Sequence, residues 1–284
     1  MSWNHRVPKA LLGYFETEAS KSRKRKKKRR NTPKSVYLYD RESDCIELRR
    51  TDCILGEDDN YDKEEEDFYE EYETSAMASY NESPSAYSKL ITGLELEPDD
   101  RKRIAGYLWT IDYRSLLHRG KLDSTVVDQD RKSERVGIET LLRFRREGAI
   151  DTYVADVSKR SWIVCETESD LVLGDSPIVL DVFLTKDRDT KQVTGRLNSY
   201  NIPLSPDRLL MILPPGKLVE MYPKVRVPHN VVRWINKKMV HRSERYVVSR
   251  ESREVKWMRK WLTIDFELRD SKLERNKSSL ILYS

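Results

Sequence analysis

Apolar positions along this chain change their period twice. Residues 4–15 gather Val7, Ala10, Leu11, Leu12, Tyr14 and Phe15 around Pro8, which stiffens the entry, so the opening is expected to be an ordered anchor. A polar stretch over 16–34 ends in Asn31-Thr32-Pro33, a turn signal. The runs Val36-Tyr37-Leu38-Tyr39 and Cys45-Ile46-Glu47-Leu48 then flank a polar turn and predict a β-hairpin. Within 56–73, Phe68, Tyr69 and Tyr72 recur at helical spacing among acids, so part of that segment is expected to be an amphipathic helix.

The middle of the chain takes the helical period. Ser83-Pro84 provides an N-cap and a proline at the first helical position, for a helix through Leu90 and Ile91 to Gly93. Glu97-Pro98-Asp99-Asp100 opens a longer helix, with acids facing the positive end of its dipole. Its stripe runs Ile104, Leu108, Ile111, Ser115, His118 and stops at Gly120. A further helix is expected near 132–147, with Val136, Leu141, Leu142 and Phe144 apolar.

Strand-like runs return at 161–165, 171–173, 178–184 and 209–213, bounded by Gly, Pro and Asp. Two closing helices are expected at 230–240 and 251–262, with a strand at 245–248 between them. The class this predicts is α+β: an early β-hairpin, central helices, later mixed or antiparallel strands and C-terminal helices. The early and late β-rich parts are expected to share one sheet. The chain, 1–284, is therefore read as a single α+β domain with a basic loop at 16–34 and an acidic segment at 56–73.

Composition narrows the classes of function. Charged residues make up 36% of the chain, against about 25% in an average domain, so some segments must be solvated. No run approaches the roughly 18 apolar residues of a membrane span, and the start lacks the apolar core of a secretory signal. No membrane association is therefore expected. Cys45, Cys53 and Cys165 are too few for a disulfide framework or a four-ligand zinc site, which suits a reducing compartment: the cytoplasm, or the nucleus in a eukaryotic source.

The net charge of +5 conceals an uneven distribution. Residues 21–30 alone hold nine positive charges, which leaves −4 on the rest. Arg23, Lys24, Arg25, Lys26, Lys27, Lys28, Arg29 and Arg30 are the candidate nucleic-acid ligands, because contiguous cations bind phosphate backbones by releasing counterions. The competing reading is internal screening. Segment 56–73 carries eleven acids and one lysine, a charge of −10 that could neutralise the run.

Four landmarks in order resemble one family. His5-Arg6-Val7-Pro8-Lys9, with Leu12 and Phe15, resembles an opening His-Tyr-Val-Pro-Arg motif, and Val36-Tyr37-Leu38-Tyr39-Asp40-Arg41 resembles the strand that follows it. Arg114-Ser115 resembles a Gln-x-x-Arg-Thr segment, and Leu173-Gly174-Asp175-Ser176-Pro177-Ile178 a Thr-Ser-Asp-Asn-Pro-Val segment. The family is the domain of unknown function DUF4238, of bacteria, phages and fungi. The chain departs from it at Arg6, Ile111 and Gly174, where tyrosine, glutamine and serine are usual. The resemblance supplies no reaction.

Candidate chemistry is sparse. His5 is either a general base or a residue that fixes the backbone of the first segment. Arg114 faces inward and needs an anion, either a ligand phosphate or a carboxylate such as Asp175. Asp175, at a strand end, either binds a metal or activates water, or bonds backbone N–H groups in a turn. A divalent metal is conceivable there, but no ligand motif supports one and no cofactor is expected. Three readings follow: a nucleic-acid-associated protein using 21–30; a phosphodiesterase-like hydrolase (nuclease) with His5, Arg114 and Asp175 in one cleft; and a non-catalytic interaction module, in host–phage conflict given the family's range, with a protein partner on 56–73.

Overall fold

The computed structural model describes residues 3–5, 7–17, 34–54, 56–58, 63–79, 83–114, 138–186, 193–214 and 226–262. It is an α+β structure. Among the described residues, the strands form a five-stranded sheet, a four-stranded sheet and a short two-stranded ribbon.

The opening is an anchor, as expected. Strand β1 (Trp3–His5) pairs antiparallel with β4 (Gly56–Asp58), and helix α1 (Lys9–Leu12) runs into a 3-10 turn over Gly13–Phe15. Val7, Leu11, Leu12 and Phe15 are buried. Each such side chain stabilises by roughly 1.5–3 kcal/mol before entropy is counted. The hairpin is β2 (Ser35–Asp40) with β3 (Cys45–Arg50). Asp44, at φ 51°, reverses the chain, and Asp40 Oδ1 accepts the Glu42 N–H at 3.0 Å.

Next comes a helical layer: α2 (Lys63–Met77), α3 (Ala86–Thr92), α4 (Pro98–Arg114), α5 (Ile138–Arg146) and α6 (Ala149–Lys159). The cap of α3 lies two residues beyond the expected Ser83. Ser85 takes it, its Oγ accepting the Ser88 N–H at 3.1 Å. Pro98 does open α4, and Asp100 caps it by accepting the Glu97 N–H at 3.1 Å while it pairs with Lys89 at 2.7 Å. The end of the predicted stripe, Ser115 to Gly120, lies outside the described residues. Helix α6 was not expected. Gly148, at φ 70°, turns the chain from α5 into it, so only Glu147 and this glycine separate two helices where the sequence suggests an ending.

The late strands divide between two sheets. The five-stranded sheet has the order β10-β5-β9-β8-β7, built from β5 (Ser161–Thr167), β7 (Val179–Lys186), β8 (Val193–Ser205), β9 (Arg208–Leu213) and β10 (Arg226–Val227). Only the pair of β10 with β5 is parallel. The early hairpin shares a sheet with late strands, as expected, but it is not this larger one. It forms the second one, β3-β2-β11-β6, with β6 (Leu173–Gly174) and β11 (Tyr246–Ser249). Helices α7 (His229–Arg242) and α8 (Ser252–Leu262) flank β11 in the chain. One hydrophobic cluster joins the opening segment (Leu11, Phe15), the central helices (Leu90, Ile104, Ile111) and both sheets (Leu38, Leu173, Leu210, Val248).

Candidate functional site

The acidic helix α2 turns its rings inward. Glu65, Phe68, Tyr69 and Ala76 are buried, on the face that meets α4. Phe68 and Tyr72 pack on Trp109, Trp109 stacks on Tyr113 at 5.0 Å, and Tyr113 meets Phe144 of α5 edge-on. What α2 offers to solvent is mainly carboxylate. Asp67, Glu70 and Glu71, with Thr74 and Ser75, line a shallow groove of about 520 Å³. An acidic groove repels a phosphodiester substrate.

Arg114 ends α4 with its side chain 1% exposed. Its guanidinium lies over the Tyr69 ring at 4.1 Å, is ion-paired to Glu73, and stands 3.8 Å from a Glu66 oxygen. Sequence reasoning correctly required an anion here but suggested Asp175; the carboxylates come instead from α2. Burial pushes the Glu73 carboxyl above its ordinary range, and the Arg114 charge offsets only part of that. Tyr107, in the same environment, is fully buried, and burial raises its hydroxyl pKa well above the ordinary value. Its hydroxyl has no hydrogen-bond partner among the described residues. Tyr87 packs edge-on against it at 5.7 Å, and Tyr14 continues the row at 5.4 Å from Tyr87.

Asp175 follows β6 and is 3% exposed. Its carboxylate accepts three backbone N–H groups where α7 hands over to β11: Glu244 at 3.0 Å, Arg245 at 2.8 Å and Tyr246 at 3.0 Å. Its own N–H donates to the Tyr246 carbonyl at 3.0 Å. This is the turn-bonding role weighed for it, made across the fold. Gly174 beside it explains one departure from the family pattern: a Cβ there would fall on the Ser243 hydroxyl. Ile111, where glutamine is usual, is buried in the apolar core, and Arg6 lies outside the described residues. His5 ends β1, its backbone opposite Gly56. His5, Arg114 and Asp175 are thus each positioned by a different set of elements. No group of three or more His, Cys, Asp or Glu that could hold a metal occurs among the described residues.

The basic run lies outside the described residues, but both of its flanks are placed. The Thr17 N–H donates to the Ser35 carbonyl at 2.8 Å, so the chain on either side of the run meets at the start of β2. A second cationic region was missed by the sequence reading. Residues 229–262 hold ten Lys and Arg against three acids, a charge of +7. The signal was available, but it vanishes when everything outside 21–30 is summed to −4. In the fold, α7 and α8 pack together here, and the Arg233 guanidinium lies 6.0 Å from the ring centroid of Trp257, which is 44% exposed.

No helix among the described residues is long and apolar enough to cross a membrane. The family model described as Protein of unknown function (DUF4238) matches residues 4–253, a span that contains all four landmarks. No curated protein and no solved structure matches the chain.

Proposed function

The chain belongs to the DUF4238 family, and from that premise we propose that it is a nucleic-acid-associated protein that holds phosphates through the basic run 21–30. The observation that supports this reading is the clamped base of the run. Nine cations in ten residues are tethered on both sides to one point of β2 through Thr17 and Ser35. Such a tether limits the conformational freedom that must be given up when a polyanion binds. The groove on α2 has the wrong sign of charge for phosphate. Arg114 and Asp175 already face Glu73 and three backbone amides, so they support a hydrolase less well than the basic run supports binding.

The experiment is a gel-shift or anisotropy titration over a salt series. With about six phosphate contacts, affinity should fall on the order of 10³-fold between 50 and 200 mM salt. Neutralising all nine charges of 21–30 should flatten that dependence. Binding with no salt dependence would remove the reading. Progressive cleavage of the oligonucleotide in the same tubes, lost in His5→Ala, would move it towards the phosphodiesterase alternative.

A further inference from the structure

The surface made by α7 and α8 differs from the basic run in one respect: it sets an exposed aromatic ring among its cations. Trp257 is 44% exposed, a large fraction for a tryptophan in the middle of a helix whose Met258 is fully buried. Arg253 lies four residues before Trp257, on the same face of α8, and Lys256 immediately precedes it; both are exposed, the Arg253 side chain at 74%. Arg233 reaches Trp257 from α7. Glu251 and Glu254 sit beside Arg253 at 3.4 and 3.7 Å and moderate its charge. Arg245, Arg250 and Arg259 are paired with Asp40, Asp170 and Asp44 from outside the segment, so part of the +7 of residues 229–262 is neutralised in the fold. The cations beside Trp257 are Arg233, Arg253 and Lys256.

We infer that the α7–α8 face is a binding surface for single-stranded nucleic acid, on which Trp257 stacks an unpaired base while Arg233, Arg253 and Lys256 hold the flanking phosphates. The inference rests on the nucleic-acid reading above and gives it a strand preference that the basic run alone does not provide. Cations alone attract any polyanion, duplex or single strand. An exposed ring inside a cationic patch adds a term that only an unpaired base can use, because every base has a π face and a duplex hides it. Charge complementarity selects the occupant: an acidic or neutral protein partner would gain from the ring or from the cations, whereas a single strand uses both at once.

The test is fluorescence anisotropy of the full chain with a labelled single-stranded oligonucleotide and with its duplex, in four variants. Trp257→Ala should weaken single-strand binding about tenfold, within the range that base stacking contributes, and leave duplex binding unchanged. Trp257→Phe should restore most of the loss. Arg253→Gln with Lys256→Gln should lower the single-strand salt slope by about 1.4, at about 0.7 per phosphate contact. These exposed positions should leave the thermal midpoint in place, which separates lost binding from lost folding. The fourth variant neutralises 21–30. Single-strand binding that survives it and is then abolished by Trp257→Ala supports the α7–α8 surface, even if the run turns out to contribute nothing. Wild-type affinity in the Trp257 and Arg253/Lys256 variants, with binding lost only on neutralising 21–30, overturns this surface and leaves the run as the site. Equal losses for duplex and single strand in Trp257→Ala overturn the strand preference and with it the inference. Absence of any binding by the wild type overturns both.

Discussion

Among the arginines that lie over aromatic rings, Arg114 and Arg233 have opposite surroundings. Arg114 sits 4.1 Å from the ring centre of Tyr69, is 1% exposed, and has carboxylates of α2 around it. Arg233 sits 6.0 Å from Trp257 at the surface, between helices that carry an excess of cations. Burial decides the outcome. In the interior a guanidinium is tolerated only when its charge is matched, so the contact between α2 and α4 is closed and spoken for. At the surface water screens the charge, so the contact of Arg233 with Trp257 needs no matched carboxylate to be tolerated.

This contrast yields an ordered series of measurements. Arg114→Ala should cost about 3–5 kcal/mol in chemical denaturation, because Glu73 and Glu66 are left without their counter-charge. Arg233→Ala should stay within about 0.5 kcal/mol, as surface substitutions do. A loss below 1 kcal/mol for Arg114→Ala would mean that the interior pair is not compensating anything.

Gly106→Ala probes the same closed contact without touching a charge. The added Cβ would stand 2.8 Å from a Tyr72 ring carbon, so the substitution should destabilise by about 1–3 kcal/mol. In an open helix the same change stabilises by roughly 0.5–1 kcal/mol, so the sign of the effect is the readout.

Glu73→Gln gives a subtler signature. Burial raises the folded-state Glu73 carboxyl above its reference value of 4.5, so the stability it contributes is full below that pH and fades as pH rises through the higher folded value. Asp40 should behave in the opposite sense. Burial acts to raise its carboxyl, but hydrogen bonds from Arg245 and the Glu42 N–H outweigh it and hold it below 3.8. Its contribution is present above that pH and is lost as pH falls through the lower folded value. Denaturation midpoints at pH 3, 5 and 7 for Glu73→Gln and Asp40→Asn should therefore diverge from wild type in opposite directions. The smallest change is expected from Trp257→Phe, whose midpoint should match that of wild type because the ring is 44% exposed and the substitution keeps an aromatic ring in its place.

How much of this was legible without coordinates differed from element to element. The hairpin, the anchor and the long helix α4 follow from alternation, from a proline and from acids at a helix start, all of which act locally. Strand β8 was missed because its sequence, Val193 to Ser205, mixes Gly195, Asn198 and Pro203 with polar residues. Its pairing with β9 tolerates the proline, since the register shifts between Pro203 and Ser205, where a ladder N–H can be spared. The inward turn of Tyr69 and Phe68 was half legible: spacing places them on one face but does not say what that face meets. The partners of Arg114 and Asp175 were beyond reach, because Glu73 lies 41 residues from Arg114 and the three amides lie 69 to 71 residues from Asp175. The surface around Trp257 was legible as charge and was hidden by averaging.

The order β3-β2-β11-β6 has a consequence for synthesis. The hairpin leaves the ribosome early, yet the neighbour that completes it, Tyr246–Ser249, emerges some two hundred residues later. Until then one edge of β2 has no native partner, and neither does β6, which pairs with the other side of the same late strand. Asp175 guards that junction from one side and Arg245, bonded to Asp40, from the other. A nascent chain stopped before Tyr246 therefore exposes two unpaired edges at once, so translation of the last strand is the event that seals this half of the molecule.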